Sequence, residues 1–203
     1  MEPAQIQPKL SRCAILFVDL RGYTTICEGL HPNDVAVLLD QFYGVIGKAV
    51  HAYGGRVQNL AGDAVMAVFD RGALSNDADG QCAVESGRHM IESFLAVGAQ
   101  WESAHGVATG IGVGIHLGMV TESELCPPTL RRPSFVGDTV NVAARLCHRA
   151  RAGEVLFSAE VATELSEHAN LGVVALPNFN LRGRSAPVRI YCIPAPERPD
   201  PSQ

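Results

Sequence analysis

Two aspartates stand at the ends of apolar segments, where an unpaired carboxylate is costly. Asp19 follows the continuous apolar run from Cys13 to Val18, which is typical of a buried strand. Asp63 lies in the short turn between two predicted strands, Arg56–Leu60 and Ala64–Phe69. Carboxylates at adjacent strand ends need a neutralising partner, and oxygen ligands of this kind suit Mg²⁺ or Mn²⁺. Each aspartate alone also fits a turn or capping role, but together they favour a metal site.

A second candidate group is an amide and a guanidinium on one helix face. Asn141 and Arg145 lie four residues apart within FVGDTVNVAARL, in the helix predicted from Asp138 to Arg151. The pair suits a sugar and a polyphosphate, because the planar fork of arginine stabilises charge that develops on phosphate. Surface pairs without function share this spacing, so it leaves both interpretations open. A further basic element, Arg182-Gly183-Arg184, is by itself typical of a solvated loop.

The elements that position these residues follow from hydrophobic spacing and turn residues. Long amphipathic helices are predicted from His31-Pro32 to Gly54-Gly55 and from Ala83 to Trp101. The other predicted segments are strands Ile111–Leu117, Glu154–Ser158 and Val188–Ile193, a short helix Ala159–Leu165, and a proline-containing loop or arm Thr121–Pro133. This order predicts an α+β fold with helices on one face of a mostly antiparallel sheet.

Composition limits the function classes. The chain has 203 residues, of which 47% are hydrophobic, enough for one compact domain. No apolar run approaches the roughly 20 residues of a membrane helix, and no secretory signal is evident, so we expect a cytoplasmic protein without a membrane partner. A net charge of −5 without a dense basic run disfavours a nucleic-acid partner. Six cysteines without CxxC spacing predict reduced, partly buried thiols.

Three motifs, FVDLRGYTTI, GDAVMAVF and GDTVNVAARL, resemble the catalytic domain of class III nucleotidyl cyclases, the adenylate and guanylate cyclase family. The resemblance runs from about Cys13 to Ile193 and implies a ferredoxin-like βαββαβ core with a C-terminal αβ extension. It also implies a head-to-tail homodimer with active sites formed between subunits. The implied reaction converts a nucleoside triphosphate to a 3′,5′-cyclic nucleotide and pyrophosphate, with two Mg²⁺ or Mn²⁺ ions in each site. We expect a flexible leader over 1–12 and a flexible tail over 194–203.

The resemblance assigns roles to individual residues. Asp19 and Asp63 match the metal-binding aspartates, which in this family come from one subunit. Asn141 and Arg145 match the pair from the other subunit that orients the ribose and stabilises the transition state. Arg184 stands where the family usually has a phosphate-binding lysine.

Other positions complete the predicted site. Arg131 or Arg132 matches a second phosphate-binding arginine of the family. The segment around Phe17 and Gly22 is expected to present backbone N–H groups to the triphosphate, because the chain turns into a helix start there. Arg21 is expected to be an ordinary solvent or helix-end charge.

Base selectivity depends on Asn59 and Ser134. Adenylate cyclases carry a lysine at the position of Asn59, and Ser134 is the predicted partner that reads the base. Both side chains donate and accept hydrogen bonds, so the pair fits adenine or guanine. ATP is the favoured substrate, and a GTP or pyrimidine-nucleotide cyclase or a non-catalytic nucleotide-binding module stays open. Because no regulatory domain fits in 203 residues, we expect regulation by a separate partner, by ions or by expression, or else that this sequence is one domain of a longer chain.

Overall fold

The computed structural model describes residues 8–70, 78–125, 132–165, 171–180 and 187–196. Eight strands and five helices lie within these ranges. In chain order they are β1 (Lys9–Arg21), α1 (Tyr23–Gly29), α2 (Pro32–Ala52), β2 (Arg56–Ala61), β3 (Ala64–Phe69), α3 (Asp79–His105), β4 (Gly110–Leu125), β5 (Arg132–Val136), α4 (Asp138–Arg149), β6 (Val155–Ser158), α5 (Ala159–Ala162), β7 (Val174–Phe179) and β8 (Val188–Ile193).

One mixed sheet organises the chain. Its strand order is β2-β3-β1-β4-β6-β8-β7, and β5 pairs with β4 outside this path. The first four positions form the antiparallel core of a βαββαβ unit, with β1 between β3 and β4. The pairing of β4 with β6 is parallel, whereas the other pairings among the described strands are antiparallel. The predicted α+β class and its mostly antiparallel sheet are confirmed.

Helices cover both faces of the sheet, so the expectation of one covered face was wrong. A Cβ added to Gly87 of α3 would lie 3.2 Å from a side-chain carbon of Val113 in β4, whereas one added to Gly114 would lie 2.6 Å from the carbonyl oxygen of Ala143 in α4. Successive strand residues point to opposite faces, so α3 and α4 lie on opposite sides. Glycines of β4 such as Gly114 allow α4 to pack on its side of the sheet, because they let the α4 backbone approach closely.

The main core lies between the sheet and the pair α2–α3. Its largest fully buried side chains include Leu16 of β1, Phe42 and Ile46 of α2, and Phe94 of α3. The rings of Phe42 and Phe94 meet edge to face, with centroids 6.1 Å apart. A smaller cluster under α4 joins Ile15, Val68 and Phe135. The α4 side of the sheet is the side that carries the odd-numbered residues of β1.

Several predicted bounds need correction. Strand β1 begins at Lys9 rather than Cys13, so residues 9–12 belong to the sheet and not to a flexible leader; they pair with Met119–Glu122 of β4. The predicted loop or arm contains a hairpin, because β4 continues to Leu125 and pairs with β5. Strand β7 was not predicted, since its exposed sequence VALPNF lacks a clear alternation of apolar residues. The leader over 1–7 and the tail over 197–203 lie outside the described residues.

Other predictions are confirmed. The β2–β3 hairpin forms at the predicted strands, and β8 has the predicted bounds. Helix α2 begins at Pro32, and the side chain of His31 accepts a hydrogen bond from the backbone N–H of Asn33. No helix in the described part of the chain is long and apolar enough to cross a membrane.

Candidate active site

Asp19 and Asp63 lie side by side at one end of the sheet. Asp19 is near the end of β1 and pairs with Ala64, the first residue of β3. Asp63 occupies the β2–β3 turn, and its carbonyl oxygen accepts a hydrogen bond from the backbone N–H of Leu20 at 3.0 Å. The turn is tight because Gly62 adopts a left-handed conformation, with φ 61°. The two carboxyl groups lie close enough for the charge of Asp63 to act on the Asp19 carboxyl.

Asp19 and Asp63 place two acidic groups side by side in a partly buried position, which favours a bound cation. Burial raises the pKa of the Asp19 carboxyl above its ordinary value; the Arg21 guanidinium lowers this pKa, and the neighbouring Asp63 raises it. The described ranges contain no group of three or more His, Cys, Asp or Glu side chains that could hold a metal ion. Two carboxylates are the set that Mg²⁺ takes when phosphate oxygens and water complete its coordination. The residues therefore fit a divalent cation that binds together with a polyphosphate.

Arg21 is a site residue that the sequence analysis missed. Its side chain is only 21% exposed, and its Nη1 donates to Oδ2 of Asp19 at 2.8 Å. Its Nη2 donates to the carbonyl oxygen of Cys147 in α4. The spacing of Asp19 and Arg21, which places both on one face of β1, was the available signal, but the contact with a residue 126 positions away was not visible in the sequence.

Tyr43 is a second residue that the sequence did not indicate. It lies on α2, and its hydroxyl donates a hydrogen bond to the carbonyl oxygen of Gly62. This contact fixes the turn immediately before Asp63. The sequence carries no local signal for this contact, because Tyr43 and Gly62 lie 19 residues apart on different elements.

Helix α4 presents Asn141 and Arg145 on its outer side. Both side chains are exposed, whereas Val142 and Leu146 of the same helix are buried. The helix lies flat against the sheet because Gly114 and Gly118 of β4 carry no side chain where Cys147 and Thr139 approach. The predicted shared face is therefore present, and it points away from the sheet to which its own helix is bound.

The two residues expected to read the base lie on different strands. Asn59 is exposed on β2, beside a register shift in the pairing with β3. Ser134 is half-buried on β5 and pairs with Ser123 of β4. Strand β2 is an edge strand of the sheet, so Asn59 is open to a partner molecule.

Phe17 and Gly22 lie in different backbone environments, a central strand and a helix start. Phe17 lies inside β1, where its backbone pairs with Met66 and with Gly114, so this position does not support the predicted role of its N–H group as a triphosphate donor. Gly22 follows β1 with φ 79° and begins α1, with open space around its Cα. The predicted turn into a helix start therefore occurs at Gly22.

Three predicted phosphate-binding positions cannot be placed in the same way. Arg131 and Arg184 lie outside the described residues. Arg132 is described as the first residue of β5, which gives its backbone position alone. Their roles stay predictions.

A family model confirms the resemblance that the motifs carry. The model of the adenylate and guanylate cyclase catalytic domain matches residues 6–195. The chain belongs to this family. The predicted enzyme class, a phosphorus–oxygen lyase of the adenylate/guanylate cyclase type, is the class to which such cyclase domains belong.

Similar proteins agree with the family. An adenylate cyclase of Anabaena cylindrica is 27% identical over 196 residues, which cover 91% of this chain and 37% of that protein. The chain thus spans about a third of the length of the curated relatives it matches. The crystal structure of the adenylyl cyclase CyaB from P. aeruginosa superposes with a TM-score of 0.84 at 26% identity, covering 95% of this chain and 98% of that one. The guanylyl cyclase Cya2 has the same fold, with a TM-score of 0.81 at 24% identity over 95% of this chain and 96% of its own.

The cyclase domain therefore separates its predicted site residues into two groups. The aspartates meet at the β1 and β2–β3 ends, and Arg21 joins them to the carboxyl end of α4. Asn141 and Arg145 lie on the opposite, outward side of that helix.

Proposed function

We propose that this chain is the catalytic domain of a nucleotidyl cyclase that converts ATP to 3′,5′-cyclic AMP and pyrophosphate. The observation that carries the proposal is the proximity of the Asp19 and Asp63 carboxyl groups at one end of the sheet, in a chain whose family model covers residues 6–195. Two neighbouring carboxylates repel each other, and Arg21 forms an ion pair with one of them, Asp19. A bound divalent cation would offset the remaining repulsion, which suits a site for a metal–triphosphate complex.

The reaction forms one bond and breaks one. The ribose 3′-oxygen bonds to the α-phosphorus, the bond from this phosphorus to the bridging oxygen breaks, and pyrophosphate carries that oxygen and its electron pair away. Asp19 and Asp63 would hold Mg²⁺ or Mn²⁺, which when bound acidifies the 3′-hydroxyl and neutralises triphosphate charge. No side chain among the described residues is an evident general base, so we expect deprotonation to rely on the metal, water or substrate.

Asn141 and Arg145 supply the other half of this chemistry. The amide of Asn141 orients the ribose, and the guanidinium of Arg145 stabilises the charge that develops on the α-phosphoryl oxygens. Arg184 adds positive charge for the triphosphate, as the family position implies.

We infer a head-to-tail homodimer as the active form. Asn141 and Arg145 are exposed on the side of α4 that faces away from its own sheet, which suits a site completed by a second copy. The edge strand β2 also exposes apolar side chains, with Val57 at 39% and Leu60 at 52% exposure. Each of the two active sites in the dimer would combine the aspartates of one protomer with Asn141 and Arg145 of its partner.

The choice of ATP rests on the adenylate cyclase of Anabaena cylindrica and on CyaB. Asn59 and Ser134 can satisfy the acceptor and the donor that adenine presents. A cytoplasmic location and a separate regulatory partner stay predictions.

The deciding experiment supplies the purified protein with ATP, GTP, CTP or UTP and Mn²⁺, and identifies products by mass. We expect cyclic AMP from ATP, and loss of nearly all turnover in Asp19→Ala while the variant stays folded. Cyclic GMP or a cyclic pyrimidine nucleotide as the main product would overturn the substrate. The absence of any cyclic product would favour a nucleotide-binding module.

A further inference from the structure

Arg21 connects Asp19 to α4, the helix that also carries Asn141 and Arg145, within one protomer. Its guanidinium donates from Nη1 to the Asp19 carboxylate at 2.8 Å and from Nη2 to the Cys147 carbonyl oxygen. Cys147 lies in the last turn of α4, at the negative end of the helix dipole, and its carbonyl oxygen accepts from the backbone N–H of Ala150 as well as from Arg21. The guanidinium thus lies between two negative groups that belong to different elements.

The protein contains a niche that fits this guanidinium. Gly112 of β4 pairs with Asp19 in the sheet, and a Cβ at Gly112 would lie 2.7 Å from Nε of Arg21. Nε itself is buried without a hydrogen-bond partner in the described structure. This burial carries a desolvation penalty that a solvent-exposed arginine does not have. The backbone of Arg21 is also held, because its carbonyl oxygen accepts from the hydroxyl of Thr109 at 3.0 Å.

We propose that Arg21 is a positioning residue that orients the Asp19 carboxylate for the divalent cation and fixes it relative to α4. The inference rests on the proposed function. A hydrogen bond to Oδ2 restricts rotation of the carboxylate and leaves Oδ1 available as a ligand for the cation. Residues that hydrogen-bond a ligating carboxylate typically change metal affinity by about 10–100-fold when they are replaced.

Metal binding should depend on both hydrogen-bond donors of the Arg21 guanidinium, and not only on its positive charge. Two divergent donors reach Asp19 and Cys147 at once, whereas the ammonium of a lysine is a point charge on a flexible stem. A role through charge alone would leave Arg21→Lys at wild-type affinity, and simple repulsion between Arg21 and the cation would make Arg21→Gln bind more tightly. The proposal predicts weaker binding for both variants.

The test measures Mn²⁺ affinity of the purified full chain, without nucleotide, from the electron paramagnetic resonance signal of free Mn²⁺. We expect Arg21→Gln and Arg21→Lys to bind Mn²⁺ about tenfold or more weakly than wild type. Gly112→Ala should reproduce the loss, because its methyl group displaces the guanidinium and leaves the charge unchanged. Melting temperatures without metal verify that each variant is folded.

A matched control lies on the same strand. Arg12 forms an ion pair with Glu164 at 2.7 Å but is 56% exposed, and Arg12→Gln should keep wild-type Mn²⁺ affinity. Wild-type affinity in folded Arg21→Lys or Arg21→Gln, tighter binding by Arg21→Gln, or no Mn²⁺ binding by wild type would overturn the proposal. If these affinities behave as expected but no cyclic nucleotide forms, the proposed reaction is wrong while the role of Arg21 stands.

Discussion

The carboxyl group of Asp19 lies close enough to that of Asp63 for the neighbouring carboxylate to raise the pKa of Asp19, although Asp19 lies near the end of β1 and Asp63 in the β2–β3 turn. The backbone N–H of Leu20, the residue after Asp19, donates to the carbonyl oxygen of Asp63 at 3.0 Å and so joins the two segments. The fold therefore keeps two carboxylates in a position that costs stability. The free energy of unfolding of a variant without one of the two charges measures this cost.

Asp63→Asn should stabilise the metal-free protein by about 1 kcal/mol at pH 7, because it removes a like charge beside Asp19. The raised pKa of Asp19 gives the sign: the native state keeps the Asp19 proton more readily than the unfolded chain does, so stability falls as the pH rises through the range in which Asp19 ionises. The gain should shrink at pH 4, because the raised pKa of Asp19 leaves more of its carboxyl protonated there and a neutral carboxyl does not repel its neighbour. Thermal unfolding at both pH values measures it, and a variant less stable than wild type at pH 7 would contradict the account. Mn²⁺ should raise the melting temperature of wild type alone.

Tyr43→Phe should lower Mn²⁺-dependent turnover about threefold to tenfold with little change in melting temperature, because the hydroxyl fixes the Gly62 carbonyl beside Asp63. The matched control is Tyr53→Phe, since the Tyr53 ring packs against His89 at 5.9 Å and this contact is kept. Steady-state rates of the two variants, measured at several Mn²⁺ concentrations, make the comparison. Equal turnover rates for the two variants would show that the Tyr43 hydroxyl does not contribute to the active site.

Gly114→Ala should destabilise the fold by about 3 kcal/mol, because its methyl group would lie 2.6 Å from both the Ala143 carbonyl oxygen and the Cys147 Cα, which are backbone atoms that cannot rotate away. Gly44→Ala is the control: Gly44 is exposed on α2 with nothing within 4 Å of the added carbon, and the change should stabilise the protein by about 1 kcal/mol. Urea unfolding compares the two. A wild-type midpoint for Gly114→Ala would show that α4 does not lie this close to the sheet.

Buried thiols give an independent check of the fold. Burial raises the pKa of Cys13 and of Cys147 to about 12 and that of Cys192 to about 11, whereas Cys27 is exposed on α1. At pH 8 a thiol of pKa 12 is ionised in about one molecule in ten thousand, so iodoacetamide should modify Cys27 and spare the other three. Peptide mass spectrometry of the native protein reads the labels. Rapid labelling of Cys147 would contradict the packing of α4 on Gly112 and Gly114.

The sequence revealed those parts of the site that depend on local pattern. Asp19 and Asp63 were candidates because each borders an apolar segment, and the AGDAV sequence predicted the hairpin turn that contains Asp63. Asn141 and Arg145 were predictable as a helix face from their spacing. These features depend on neighbours within a few residues.

The parts that were missed depend on contacts between distant elements. The role of Arg21 requires α4 to lie over Gly112, and that of Tyr43 requires α2 to lie beside the β2–β3 turn. The β4–β5 hairpin was hidden because its residues around the prolines resemble a loop. Strand β7 was hidden because an exposed edge strand needs little apolar alternation.

The central claim is that one active site takes its aspartates from one protomer and Asn141 and Arg145 from the other. Mixing Asp63→Asn with Arg145→Ala, each inactive alone, tests it most directly, because a mixed dimer contains one site with both groups intact. After equal amounts have exchanged subunits, we predict about a quarter of the wild-type rate of cyclic nucleotide formation. A mixture no more active than the sum of its two components would contradict the account.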